Sequence, residues 1–132
     1  MQQVVNINGF ETVINIPEGQ VISPVKVEGN SDSFRIDYGN GLVRVGGELA
    51  IKTEPQKYAT EMRTEGVVTV DFPVEFSTIL GFGVVAMDSD KGSLFEHAHL
   101  GQVTFKDMNV YASTISDSPV ELKVNWFVEG LV

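Results

Sequence analysis

The stretch "SLFEHAHLG", residues 93 to 101, holds both histidines of the chain, His97 and His99, one residue apart. Imidazole is the commonest metal ligand and the side chain whose charge changes nearest neutral pH. In an extended segment residues two apart project to one side, so the two rings can point together. Two imidazoles are too few for a closed metal site. Glu96 and Leu100 beside them add no ligand spacing. The competing use is a polar segment between strands, with both rings solvated or hydrogen-bonded.

Other candidate chemistry is sparse. "MDSDKGS" begins like a calcium loop at Asp88 and Asp90, but Gly92 occupies the fifth place and His99 the place of the closing Glu. Nucleophilic catalysis lacks a Gly-x-Ser-x-Gly elbow, and no cysteine is present. Eighteen acidic residues supply many carboxylate pairs, and solvation of the surface accounts for them. The expectation is a protein that is not an enzyme and carries no cofactor. Binding is left to polar turns. "DSDKGS" with Asp88, Asp90 and Lys91, and "STISDS" with Asp117, carry the short side chains that suit hydroxyl recognition.

Composition narrows the partners. A chain of 132 residues is one domain in size. Its net charge of −9 is spread along the chain, which opposes nucleic acid and anionic membranes, since both need clustered Lys and Arg. No stretch approaches the roughly 20 apolar residues of a membrane-spanning helix. The amino terminus also lacks a basic start followed by a long apolar run, so the expectation is a protein without membrane insertion.

The hydrophobic pattern has period two. In "PVELKVNWFVEG", Val120, Leu122, Val124, Trp126 and Val128 alternate with Glu121, Lys123, Asn125, Phe127 and Glu129. That describes a strand with one buried face, on which Phe127 is an aromatic out of place. "GVVTVDFPVEF" puts Val68, Val70 and Phe72 on one face before Pro73, and "FGVVAMD" is apolar on both faces. "SFRIDYG", "LVRVGGELAIK", "QVTFKD" and "NVYAST" are further strands, and Asn40-Gly41 is a hairpin signal. "TEPQKYATEMRTEG" admits either helix or strand, because Pro55 and Gly66 suit helix ends while Thr53, Thr60 and Thr64 oppose one. Residues 1–33 read as a short β-rich segment, a hairpin or an arm lent to a neighbour. Residues 34–132 read as an antiparallel β-sandwich of six or seven strands, an all-β fold.

The order of elements resembles the carboxy-terminal tip domains of bacteriophage tail fibres. The residues that carry it are Phe72, Pro73 and Phe76; Val84, Val85 and Ala86; Phe105; and Trp126 with Gly130. The resemblance implies a sandwich related to the H-type lectins, assembled as a homotrimer and located in the virion. It also implies contacts with other virion tail proteins and distal loops that bind a bacterial surface glycan or protein. Phe127, Val85 and Met87 would then be covered at the trimer interface. A structural tail or decoration protein is the alternative. Three copies would offer six imidazoles from His97 and His99, enough to surround a transition metal on the trimer axis, an arrangement with precedent in such fibres.

Overall fold

The computed structural model describes residues 2–7, 9–15, 25–87 and 96–132. β1 (Gln2–Ile7) and β2 (Phe10–Asn15) pair with each other as an antiparallel hairpin. Two sheets hold the rest. The five-stranded sheet has the order β3 (Lys26–Gly29), β4 (Phe34–Gly39), β5 (Leu42–Lys52), β11 (Glu121–Leu131), β8 (Thr78–Ala86). The four-stranded sheet has the order β6 (Glu54–Tyr58), β7 (Glu61–Asp71), β10 (Asp107–Ile115), β9 (His97–Val103). Every pairing is antiparallel, and among the described residues there is no helix.

The all-β, antiparallel, two-sheet expectation holds, with nine strands in place of six or seven. The two additions, β3 and β6, are edge strands. β3 is exposed at all four residues, so it has no buried face to produce alternation. β6 is polar and carries Pro55, which an edge strand tolerates. β3 pairs with β4 ahead of residue 34, where the sequence placed the start of the sandwich. The ambiguous residues 53–66 form the β6–β7 hairpin, closing at Ala59, which adopts φ 46. At the β4–β5 hairpin, Asn40 and Gly41 both take positive φ, 56 and 81, as a tight turn between twisted strands requires.

The core forms where the period-two faces meet. Val120, Leu122, Val124, Trp126 and Val128 are buried, with Val43, Val45 and Ile51 beside them in the same sheet. Val70, Met108, Val110 and Ala112 face them from the four-stranded sheet. Phe72 lies edge-on to Phe76 at 5.7 Å and stacks on Trp126 at 6.1 Å. Gly130 is needed there, since a Cβ would meet the Phe76 ring at 2.8 Å. The motif residues Phe72, Phe76, Trp126 and Gly130 are therefore one packing cluster.

The chain crosses between sheets at Thr53, the single residue separating β5 from β6. Its buried hydroxyl donates to the Val120 carbonyl at 2.6 Å, accepts the Val120 N–H at 3.0 Å and accepts the Thr64 hydroxyl. One donor and two acceptor sites are thus filled. Thr53→Val leaves the Val120 N–H and the Thr64 hydroxyl without these partners, at ~1–3 kcal/mol each, so a loss of about 2–6 kcal/mol is expected in urea unfolding. The Thr53→Val/Thr64→Val double variant is expected to lose less than the sum of the two singles, because it also removes the stranded hydroxyl.

Candidate functional site

The inward positions of β10, Val110, Ala112 and Thr114, are buried, which turns Tyr111 and Ser113 outward. On β9, Ala98 and Leu100 pack against the core, so His97 and His99 face out together, as strand alternation requires. Both histidines belong to a strand, and the reading of them as a loop between strands is corrected. The "QVTFKD" strand correspondingly ends at Val103 and turns at Thr104.

Register places these side chains in rows across the sheet. His97 pairs with Ser113, Ser113 with Glu65 and Glu65 with Glu54; His99 pairs with Tyr111 and Tyr111 with Val67. The His99 ring lies parallel to Tyr111, 4° between planes and 5.0 Å between centroids, and His97 follows at 5.5 Å from His99. Ser113 is short between longer neighbours, and an open groove of about 460 Å³ lies over it. His97 lines this groove from β9, Ser113 from β10, Arg63, Glu65 and Glu61 from β7, and Tyr58 from β6.

Polar partners fix the walls. The Tyr58 hydroxyl donates to Glu65 Oε2 at 2.9 Å, and Arg63 Nη1 stands 3.5 Å from Glu61 Oε1. Accepting that hydrogen bond, the Glu65 carboxylate favours the neutral phenol and raises the Tyr58 pKa above its ordinary value, with desolvation and the carboxylate's charge adding to it. The groove therefore combines ring faces, carboxylate acceptors, a guanidinium donor and hydroxyls that serve as both.

The sequence-derived binding residues are only partly placed. Asp88, Asp90 and Lys91 lie outside the described residues. Asp117 sits in an exposed turn in which Ser118 donates to its Oδ1 at 3.2 Å and Ser116 Oγ accepts the Ser118 N–H at 3.1 Å. That turn, the Ala59 turn and the residues flanking 88–95, Met87 and Glu96, all lie at one end of the sandwich, through the Met87 N–H to Lys123 carbonyl and Ser116 N–H to Met62 carbonyl bonds and the β9–β10 register. The groove opens near that end. His97 and His99 supply two imidazoles, and among the described residues no group of three or more His, Asp or Glu could hold a metal. One chain alone does not fit a closed metal site.

The interface candidates differ among themselves. Phe127 is half-buried: its ring lies over Gly83, where a Cβ would meet it at 2.6 Å, and the Arg44 guanidinium covers it at 4.8 Å from the centroid. The expectation that one chain leaves Phe127 exposed is corrected, because Arg44, paired with Glu129 at 2.9 Å, supplies a cover. Val85 and Met87 belong to an uncovered strip. β8 is an edge strand, and Leu80, Phe82, Val85 and Met87 are 59, 49, 66 and 37% exposed. The two-sided apolarity of "FGVVAM" is that of an edge strand, with Val84 packed against the core and Val85 turned outward.

Tyr58, Glu61, Arg63, Glu65 and Tyr111 escape sequence reasoning, and Ser113, read as the first residue of the "STISDS" turn, belongs instead to β10, with the turn beginning at Ser116. The only available signal is the alternation of Tyr111 and Ser113 with Val110 and Ala112, which marks them as outward without saying what stands beside them.

No family model and no curated protein sequence matches the chain. Solved structures share the fold. One is a P. aeruginosa R1 pyocin fibre fragment comprising C-terminal residues 323–701, at TM-score 0.63 and 12% identity, covering 82% of this chain. This chain spans 28% of that fragment. Another is an N-truncated R1-type pyocin tail fibre, at TM-score 0.61 and 11% identity, covering 82% of this chain and 86% of that one. At such identities the likeness is one of fold.

Replacing the Glu65 carboxylate by a neutral amide removes its charge and weakens the Tyr58 hydrogen bond, which reduces the upward shift. In a spectrophotometric titration at 295 nm, Glu65→Gln is expected to lower the Tyr58 pKa, assigned by difference against Tyr58→Phe.

Proposed function

We infer that this chain is a receptor-binding tip domain of a tail fibre, which attaches a phage or phage-like particle to a bacterial surface glycan or protein and performs no covalent chemistry. The observation that carries this reading is the shared fold with tail-fibre structures over 82% of the chain. The relation to H-type lectins implied by the motif order, a place in the virion tail and contacts with other tail proteins belong to the same reading. A net charge of −9 is consistent with partners other than nucleic acid or membrane.

The path of the chain supports a polarity. β3 begins at Lys26 opposite Asp37, beside the Asn40-Gly41 turn, so the chain enters this strand at that end of the sandwich. The Asp117 turn, the Ala59 turn, the flanks of 88–95 and the groove lie towards the other end, which we assign as distal. In the groove Glu65 is engaged by Tyr58 and Glu61 by Arg63, an arrangement suited to holding a ligand. The exposed β8 strip supports a trimer in which Val85 and Met87 are covered by neighbouring chains, while the Arg44 cover makes Phe127 a lesser contributor. A transition metal on the His97–His99 pair would require imidazoles from neighbouring chains.

Two measurements test this reading. Light scattering is expected to give about three times the 14.4 kDa chain mass, and Val85→Asp, on an exposed edge, is expected to give the monomer mass with the fold retained. The intact protein is expected to bind whole cells of some members of a bacterial strain panel and to be displaced by their purified surface polysaccharide or protein. Absence of binding across the panel, with tight association to isolated tails, would favour the structural alternative.

A further inference from the structure

We propose that the groove over Ser113 binds an uncharged hexopyranose, with the sugar ring between His97 and Tyr58. This rests on the receptor-binding reading and gives it a site on a sheet face, apart from the turns at Asp88–Lys91 and Asp117 that the sequence favoured.

The trough has a simple origin. His97, Ser113 and Glu65 stand in one row on three adjacent strands, and the central member is the shortest. Tyr58 rises from the fourth strand, so the groove runs from β9 to β6, three strand spacings or about 14 Å. Its volume of about 460 Å³ falls within the range of small-molecule sites.

The lining selects the ligand. A pyranose presents an apolar face of C–H groups and a rim of hydroxyls that both donate and accept. His97 and Tyr58 offer ring faces to the first, and His97 is steadied from behind by His99 and Tyr111. Glu61 and Glu65 accept, Arg63 donates, and Ser113 and Tyr58 do either, which matches the rim. An amine would use the acceptors alone and leave Arg63 opposed to it. Two carboxylates against one guanidinium leave the groove net negative within a chain of charge −9, so uronic acids and phosphorylated sugars are repelled.

Saturation-transfer NMR on the whole chain tests this, using the methyl pyranosides of glucose, galactose and mannose, with methyl glucuronide and inorganic phosphate as charged probes. At least one neutral glycoside is expected to show transfer that Tyr58→Ala abolishes and Glu65→Gln weakens at least tenfold. Phe105→Ala, on the β9–β10 turn at the opposite end, is expected to change nothing. Ser113→Gln fills the trough from an outward position, so the test does not depend on the Tyr58 variant folding. Transfer that survives both Tyr58→Ala and Ser113→Gln, a glucuronide that binds as well as its neutral parent, or no transfer from any neutral glycoside would overturn the proposal. Whole-cell binding separates the two readings. Cell binding unchanged by Ser113→Gln removes the groove and leaves the receptor role, whereas glycoside binding without cell binding does the reverse.

Discussion

The Thr53 hydroxyl ties together four strands drawn from both sheets. β5 and β6 meet at this residue, β7 is reached through Thr64, and the start of β11 through both polar atoms of the Val120 peptide. A buried hydroxyl with all its sites filled tolerates little displacement, because any shift strands a donor or an acceptor in a dry interior. The consequence reaches the surface. β6 is only five residues long and begins directly after Thr53, so the corner sets where Tyr58 stands and hence where one wall of the groove lies. The same corner holds Glu54 opposite Glu65, a like-charge pair that is unfavourable by itself. Tyr58 donating to Glu65 offsets part of that cost and positions the wall.

The outer face of the five-stranded sheet solves a different problem. Phe127 is flanked across its two neighbouring strands by Gly46 and Gly83; Gly46 leaves room for the ring of Phe34, while Gly83 leaves room for the Phe127 ring to lie down. Arg44 then lies over it while pairing with Glu129, joining a cation–π contact to an ion pair. The sheet is thus covered at its centre from within the chain. The apolar residues left uncovered on this face stand at its edges, Val85 on β8 and Val27 on β3.

These arrangements explain what the sequence could and could not convey. β11 was legible because its inner face is buried along nearly its whole length, so burial and period two coincide. The Asn40-Gly41 hairpin was legible because positive φ at both residues has few chemical solutions. β3 and β6 were not, since edge strands without a buried face carry no alternation. Phe127 was read as surplus because its Arg44 cover lies 83 positions away and sequence does not display cross-strand register. The groove was hidden for the same reason. Tyr58, Glu65, His97 and Ser113 become neighbours only through three pairings, and none of them looks unusual on its own strand.

β8 and β9 are edges of different sheets that lie beside each other, and their side chains divide the surface between them. Along the β8 edge, Leu80 and Phe82 are exposed, Val85 is exposed on the outer face opposite Asn125, and Met87 is exposed just past the strand end. β9 turns His97 and His99 outward, and imidazoles lose hydration if a flat apolar partner covers them without hydrogen bonds. Three chains joined through β8 would each keep the row from His97 to Tyr58 in water. On the reading proposed above, assembly and recognition would use different parts of one small sandwich, the β8 edge and the outer face of the four-stranded sheet.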